Sequence, residues 1–526
     1  MLESILAVYQ IQANVAPGFR LPHQRVVALG AGAATAREVA RLLLPRLTTM
    51  AEAVAYHRRR IELAKELRAF GRRSFGIAGG PSGLRWLNVA IGAAPLLEVG
   101  FGGPAAADRS FATGLPARSA ALGDPKRPGE AGHKDGWIVG APSNPIALLL
   151  ILGSDELASL EAFGGEIEAV CRAAGATVLH AENGARLDGD IEHFGFRDGI
   201  SQPGVRGRVS AAPDNFLTRR KLPVPADEDA PELAAPGEVL VWPGEFIFGY
   251  PTQDPHHFRR PSPVGEVDPF LIDGSFLVFR RLRQHVGAFR RATRALAEEL
   301  RAFAEYAHVS DDWLRTHLVG RWPSGAPLLR FPHGDPGPPP GSLGAFNHFA
   351  FRDATPAVTT GEGEPISGAD ADPSGLVVAL HAHIRKVNPR DVGTNLGPAS
   401  QTQKLRLLRR GIPYGPPAGP GDADDGVDRG LFFLSYQRSI REQFEKLVQD
   451  WMNSDLKPEG DRGHDVLVGQ AGRDADGRAC VFARSASGPF RRIATRQDWI
   501  TPTGGGYFFC PSAASLAAFA GAPGEV

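Results

Sequence analysis

The chain has 526 residues, room for two large domains or for three or four at about 150 residues each, and its 58 Lys plus Arg balance 58 Asp plus Glu. With no net charge, no overall field draws it to nucleic acid or to an anionic membrane surface. Its 43% hydrophobic and 22% charged residues describe a folded protein rather than a disordered one.

Cys171, Cys480 and Cys510 are few, far apart and odd in number. They argue against a disulfide framework and against a cysteine-held zinc or iron–sulfur cluster, and read as buried free thiols. The longest apolar run, 146–152, falls far short of the about 20 residues that span a bilayer. The first residues lack the positive region of a secretory signal and a twin arginine, so a cytoplasmic location is the expectation.

Along the chain, residues 37–73 carry apolar positions at helical spacing, with Pro45 expected to break the helix. Short β-branched, leucine-rich or aromatic runs read as strands at 86–91, 147–152, 237–242, 276–280, 431–436 and 507–510. Amphipathic helices are expected at 155–174, 286–306 and 440–453. The stretches 222–237, 334–341, 361–375 and 416–426 are rich in proline and glycine and read as loops. Strand followed by helix recurs in both halves, so the expected architecture is α+β, with domains at 1–250 and 251–526.

Three constellations could carry chemistry. In the first, Gly195-Phe196-Arg197-Asp198-Gly199, a carboxylate stands between two glycines. Gly195 and Gly199 would let the backbone approach a flat ligand while Asp198 points into the site; the same pattern also suits an Asx-type turn in a surface loop. The second is His383-Ile384-Arg385-Lys386-Val387-Asn388-Pro389-Arg390. A neutral imidazole is a natural axial ligand of haem iron, and nearby arginines suit the paired carboxylates of haem propionates. His381 competes with His383, and if the segment is helical the two lie about 200° apart, so only one can face a given ligand. In the third, 407–415, apolar residues lead into Arg409 and Arg410 and a turn. An arginine there could hold a fixed positive charge over a reaction centre, or the turn could be an exposed basic one.

The order and content of these motifs resemble the dye-decolourising peroxidase family, a group of haem peroxidases. The likeness extends to Ile11-Gln12 and Gly18-Phe19, to 244–251 (GEFIFGYP), 274–280 (GSFLVFR), 318–328 (LVGRWPSGAPL) and 505–509 (GGYFF), which covers nearly the whole chain. Loops at 334–375 and around Pro416 are similar to those of the larger members. The resemblance implies two ferredoxin-like domains, each an antiparallel sheet with helices packed on it, with haem b in a cavity of the second. It implies His383 as the iron ligand, Asp198 and Arg409 as the catalytic pair on the other side of the haem, and Arg390 at a propionate.

On that basis the substrates are hydrogen peroxide and a bulky aromatic or dye-like reductant oxidised by one-electron transfer. Asp198 acts as general base and then general acid, and Arg409 stabilises developing negative charge. Tyr414 reads either as a packed tyrosine or as a relay for electrons from a dye too large to reach the iron, and Glu442 is the candidate carboxylate partner of His383. The competing readings are a haem-handling protein with little turnover, which needs His383 but not the Asp198–Arg409 pair, and a ferredoxin-like binding module without haem.

Overall fold

The computed structural model describes residues 3–69, 83–220, 222–234, 238–338, 344–361, 363–460, 462–470, 477–485 and 487–522. Four strands build a first antiparallel sheet: β1 (His23–Gly30), β2 (Trp86–Ile91), β3 (Leu148–Ser154) and β4 (Thr177–Ala185), in the spatial order β2-β3-β1-β4. A second sheet comes from β5 (Ser275–Gln284), β6 (Leu408–Arg409), β7 (Ile412–Tyr414), β8 (Gly430–Gln437) and β9 (Ile500–Cys510). There β9, β5, β8 and β7 lie side by side, with β6 also on β8. Both sheets thus have ferredoxin-like order, and the fold is α+β.

The two sheets touch at both edges. Ile91 of β2 lies opposite Phe509 of β9, and Gly184 of β4 opposite Tyr414 of β7, so eight strands close into a ring. Alternation along β3 explains how each face is used. Leu148, Leu150 and Leu152 pack outward with Val39 and Leu43 of α1 (Ala33–Leu43) and with Leu160, Phe163 and Ile167 of α3 (Leu157–Ala173). Leu149 and Ile151 face inward to Leu277, Phe279, Phe432 and Leu434 of the second sheet. Both faces are covered, so the strand reads as an unbroken apolar run rather than an alternating one. Each such buried side chain contributes about 1.5–3 kcal/mol.

Pro45 ends α1 as expected: a 3-10 turn at Leu44–Arg46 separates it from α2 (Met50–Ala69), and 70–73 lie outside the described residues. The expected helix 286–306 is α4 (Val286–Arg301) followed by a 3-10 turn, and 440–453 forms two π-helical segments, Ile440–Glu445 and Leu447–Met452. Strands β1 and β4 escaped the sequence reading; β4 carries His180, Glu182 and Asn183 and lacks an apolar run. The proline- and glycine-rich stretches are mostly irregular, with 235–237, 339–341 and 362 outside the described residues. All three cysteines are buried free thiols. Among the described residues no helix is long and apolar enough to cross a membrane.

The long connection between α4 and β6 holds α5 (Asp311–Val319) and the turn of helix His383–Lys386. That between β8 and β9 holds the π-helical segments and the loop that carries Asp465.

Candidate active site

His383 opens a single helical turn that Asn388-Pro389 terminates, since a residue before proline is pushed out of helical conformation. The basic residues of the motif fasten this turn to the protein. Buried Arg385 grips both carboxylate oxygens of Glu459 at 2.7 and 3.0 Å and donates to the carbonyls of Asp372 (2.8 Å) and Val378 (3.1 Å). Lys386 donates to the carbonyls of Ser454 and Lys457, and burial lowers its ammonium to about 8. Arg385 and Lys386 are therefore not free to meet a ligand's carboxylates, as a basic run read from sequence suggests.

The imidazole is oriented from behind. His383 Nδ1 lies 2.7 Å from Oδ2 of Asp465, whose side chain is 0% exposed and whose Oδ1 accepts from the amides of Leu467 (3.2 Å) and Val468 (3.3 Å). A carboxylate at Nδ1 holds the proton there and leaves Nε2 with its lone pair. The ring is 26% exposed, and no hydrogen bond engages Nε2 among the described residues. His381 has a different setting. It is 1% exposed, its Nδ1 meets the Val481 carbonyl, its ring lies edge-on to Phe482, and burial lowers it to about 3.

Asp198 and Arg409, 211 residues apart, come together: Arg409 Nη1 lies 3.4 Å from Asp198 Oδ1. The Arg409 backbone is set by its pairing with Ser435 in the sheet and by Gln202. Its Nη2 donates to the Ser201 carbonyl at 2.8 Å. Asp198 is held less firmly, accepting at Oδ1 from the Gly199 amide (2.6 Å) and remaining 40% exposed. Gly195 (φ +99°) and Gly199 (φ +74°) take left-handed backbone, and a Cβ at either would meet nothing within 4 Å. Glycine is there for conformation and leaves the surface beside Asp198 open.

Around this pair stand three desolvated arginines that sequence reasoning had named only in part. Arg390, itself at φ +57°, donates to the carbonyls of Asn347 (2.9 Å) and Phe349 (2.8 Å) and stacks 3.6 Å over the Phe349 ring. Arg321 donates to the Gly325 and Phe346 carbonyls and to Asn347 Oδ1 at 3.0 Å. Arg406 leaves its buried Nη1 without a partner. Burial, then mutual repulsion, depresses all three: Arg321 to about 9 beside Arg409, Arg406 to about 10 beside Arg409, and Arg390 well down beside Arg321 and Arg406. None of the three forms an ion pair among the described residues. Asn347 ties the group together, since its Nδ2 donates to the carbonyl of Ile200, two residues past Asp198.

His383 forms no hydrogen bond with Asp198 or Arg409. Its turn joins the group through Ile384, which packs against Gly320, the neighbour of Arg321.

Two expectations need correction. Glu442 is 65% exposed, pairs with Arg441 and Lys446, and does not meet His383; Asp465 does. Tyr414 is 1% exposed, stacked on Phe432 beneath the Arg281 guanidinium, so no bulky dye touches it. Asp465 was hidden because it lies 82 residues from His383 and only one of 58 acidic residues is needed. Arg321 lies in the 318–328 stretch, but nothing there or around Arg406 marks a cation that lacks a countercharge.

The arrangement offers a carboxylate that can take and return a proton, a fixed cation beside it, an imidazole nitrogen free to bind a metal, and three cations that form no ion pair among the described residues. A family profile described as "Dyp-type peroxidase, C-terminal" matches residues 359–462, the stretch with His383, Arg390 and Arg409. A dye-decolorizing peroxidase of Mycena epipterygia is 30% identical over 384 residues, 70% of this chain and 63% of that protein. A multifunctional dye peroxidase of an Amycolatopsis species is 28% identical over 532 residues, covering 98% of this chain and 96% of the relative. The solved structure of an ancestral D-type dye decolorizing peroxidase superposes with a TM-score of 0.71 at 26% identity, covering 98% of this chain and 99% of the other. Over nearly its whole length the chain is similar to dye-decolourising peroxidases.

Proposed function

We propose that the chain is a haem-dependent peroxidase that reduces hydrogen peroxide and oxidises aromatic or dye-like reductants one electron at a time. The observation that carries this reading is the pairing of Asp198 with Arg409, 3.4 Å apart from distant parts of the sequence, because a haem carrier needs no such pair.

The residues present fit a haem. His383 would hold its iron through Nε2, with Asp465 fixing the ring's orientation. Arg390, with Arg321 and Arg406, would meet the propionates. The buried Nη1 of Arg406, without a partner, and three depressed guanidinium groups without an ion pair are what an anionic ligand would relieve. Gly195 and Gly199 would allow close approach of the flat macrocycle. We assign the group as haem b, and the two functional units as 1–250, which supplies Asp198, Gly195 and Gly199, and 251–526, which supplies His383, Asp465, Arg409 and the three arginines.

Bound here, haem would supply the redox chemistry: two electrons for the reduction of peroxide, recovered one at a time from the reductant. The chain's own part is proton and charge handling. A free oxygen of the Asp198 carboxylate accepts a proton from hydrogen peroxide and returns it to the departing oxygen, which leaves as water. Arg409 holds positive charge where negative charge develops during that cleavage, and its anchor on the Ser201 carbonyl fixes it beforehand. An exposed Asp198 keeps this end of the site accessible to a molecule as small as peroxide.

The test is spectroscopic and catalytic. Protein supplied with haem should show a strong haem absorption band and oxidise 2,6-dimethoxyphenol only when peroxide is present. His383→Ala should lose the band or hold haem loosely, and His381→Ala should keep a band that responds to peroxide. A stable haem complex without peroxide-dependent oxidation would instead support the haem-handling alternative.

A further inference from the structure

Glu192 takes no part in the proton transfers described above, yet its carboxylate fills the turn that presents Asp198. Residues 190–198 fold back on themselves: Ile191 bridges to Arg197, the Glu192 amide donates to the Phe196 carbonyl (2.9 Å), and the Asp198 amide donates to the Asp190 carbonyl (3.0 Å). Inside this loop Glu192 Oε2 accepts from the Phe194 amide (2.9 Å) and from Gln284 Nε2 (2.6 Å), while Oε1 accepts from the Phe196 amide (3.1 Å). One side chain thus satisfies two amides that no strand partner reaches.

The same turn is clamped to the second half of the molecule. Gln284 is the last residue of β5. His193 Nε2 donates to the Tyr414 carbonyl of β7 at 2.9 Å, and Phe194 packs on Phe289 of α4 with ring centroids 4.4 Å apart. The Asp198 side chain is exposed and bonded only at Oδ1, and apart from this turn its backbone is flanked by the Arg197 amide on the Pro323 carbonyl (3.0 Å) and by Asn347 on the Ile200 carbonyl. Its location is therefore inherited from the backbone that Glu192 organises.

We propose that Glu192 is a positioning residue for peroxide cleavage: by accepting the Phe194 and Phe196 amides and the Gln284 side chain it sets Asp198 in register with Arg409. The proposal rests on the reading of Asp198 as the proton carrier. Glutamine in its place has nearly the same volume but a single acceptor, so one amide hydrogen would face an NH2 group. An unpaired buried donor is costly enough to shift a short loop. Displacement of a catalytic group by about 1 Å can cost on the order of a hundredfold in rate.

The experiment is a double-mutant cycle on haem-loaded protein, with the rate of peroxide reaction read by stopped-flow absorption. Glu192→Gln should slow the reaction about 10- to 100-fold in the parent and by less than about twofold in an Asp198→Asn background. The haem band should be unchanged, and hydrogen exchange of the Phe194 and Phe196 amides should quicken in both backgrounds. Equal slowing in the two backgrounds, or quickened exchange without slowing in the parent, would overturn the proposal. If Glu192→Gln does not fold, Gln284→Leu removes the third donor without touching the loop, and should slow the parent several-fold but not Asp198→Asn; an equal effect in both overturns the assignment. Should Asp198→Asn alone react like the parent, it is the proton-carrier reading that fails, and the positioning role with it.

Discussion

Arg409, the last residue of β6, and Arg410, just past it, have opposite surroundings. Arg409 faces Asp198, whereas Arg410 donates to the carbonyls of Asn14 (3.0 Å), Val15 (3.0 Å) and Arg409 (3.1 Å), and burial lowers it to about 9. Arg410 is a rivet for the N-terminal segment, so its removal perturbs the fold and is no neutral comparison for Arg409. At this scale the sequence was most legible: His383, Asp198 and Arg409 sit in motifs whose chemistry is local. Asp465, Arg321 and Arg406 were not, because a partner across the fold or a missing countercharge leaves no mark on spacing. A buried acid outside the site supplies a separate check. Burial raises the Glu245 carboxyl to about 7, against donation from the Gln253 amide and the charges of Lys404 and Arg438. Its folded value exceeds the ordinary 4.5, so its share of stability is complete below about 4.5 and is lost as pH rises through about 7. Glu245→Gln keeps an acceptor for Gln253 and removes that loss. In urea unfolding the variant should match the parent at pH 4.5 and exceed it by about 1–3 kcal/mol at pH 8. A difference independent of pH would mean that Glu245 does not titrate as its burial implies.

Long elements with an apolar face were readable, and short or irregular ones were not. Strands β6 and β7 are two and three residues long and lie inside a motif that looked like a basic turn. The π-helical segments read as an ordinary amphipathic helix, yet their wider turn carries the chain to Met452, whose carbonyl accepts the Asp465 amide at 3.1 Å. The placement of the His383 turn depends on a helix end. α5 stops at Gly320 in left-handed conformation (φ +89°), where a Cβ would lie 2.6 Å from Ile384 Cγ1. Gly320→Ala should therefore strain the cap and push the turn that bears His383. Stability should fall by about 1–3 kcal/mol, and haem should pass faster to excess apomyoglobin. Lower stability with an unchanged rate of haem loss would confine Gly320 to capping the helix.

The ring of eight strands was out of reach of sequence because its two seams are single residue pairs, Ile91 with Phe509 and Gly184 with Tyr414. Cohesion comes from the apolar layer between the sheets, where Val26, Leu149 and Ile151 meet Leu277, Phe279, Phe432 and Leu434. The C-terminal helix Ala513–Ala520 strengthens the tie, since the Phe519 carbonyl accepts from Arg37 Nε of α1 at 2.7 Å. The halves therefore share one core despite their repeated topology. Urea unfolding followed by far-UV circular dichroism and by tryptophan fluorescence should give one coincident transition. Two resolved transitions would mean that the halves fold as independent domains.

The central claim is that Asp198 and Arg409 act together on peroxide while His383 holds the haem. Its most direct measurement is stopped-flow absorption of the ferric, haem-loaded protein mixed with hydrogen peroxide, for the parent, Asp198→Asn and Arg409→Leu. Each variant should keep its haem band yet react on the order of 10²–10³ more slowly, as expected when one preorganised charge is removed. Variants that react as fast as the parent would contradict the claim, and would leave the chain a haem-binding protein whose paired carboxylate and guanidinium serve only its fold.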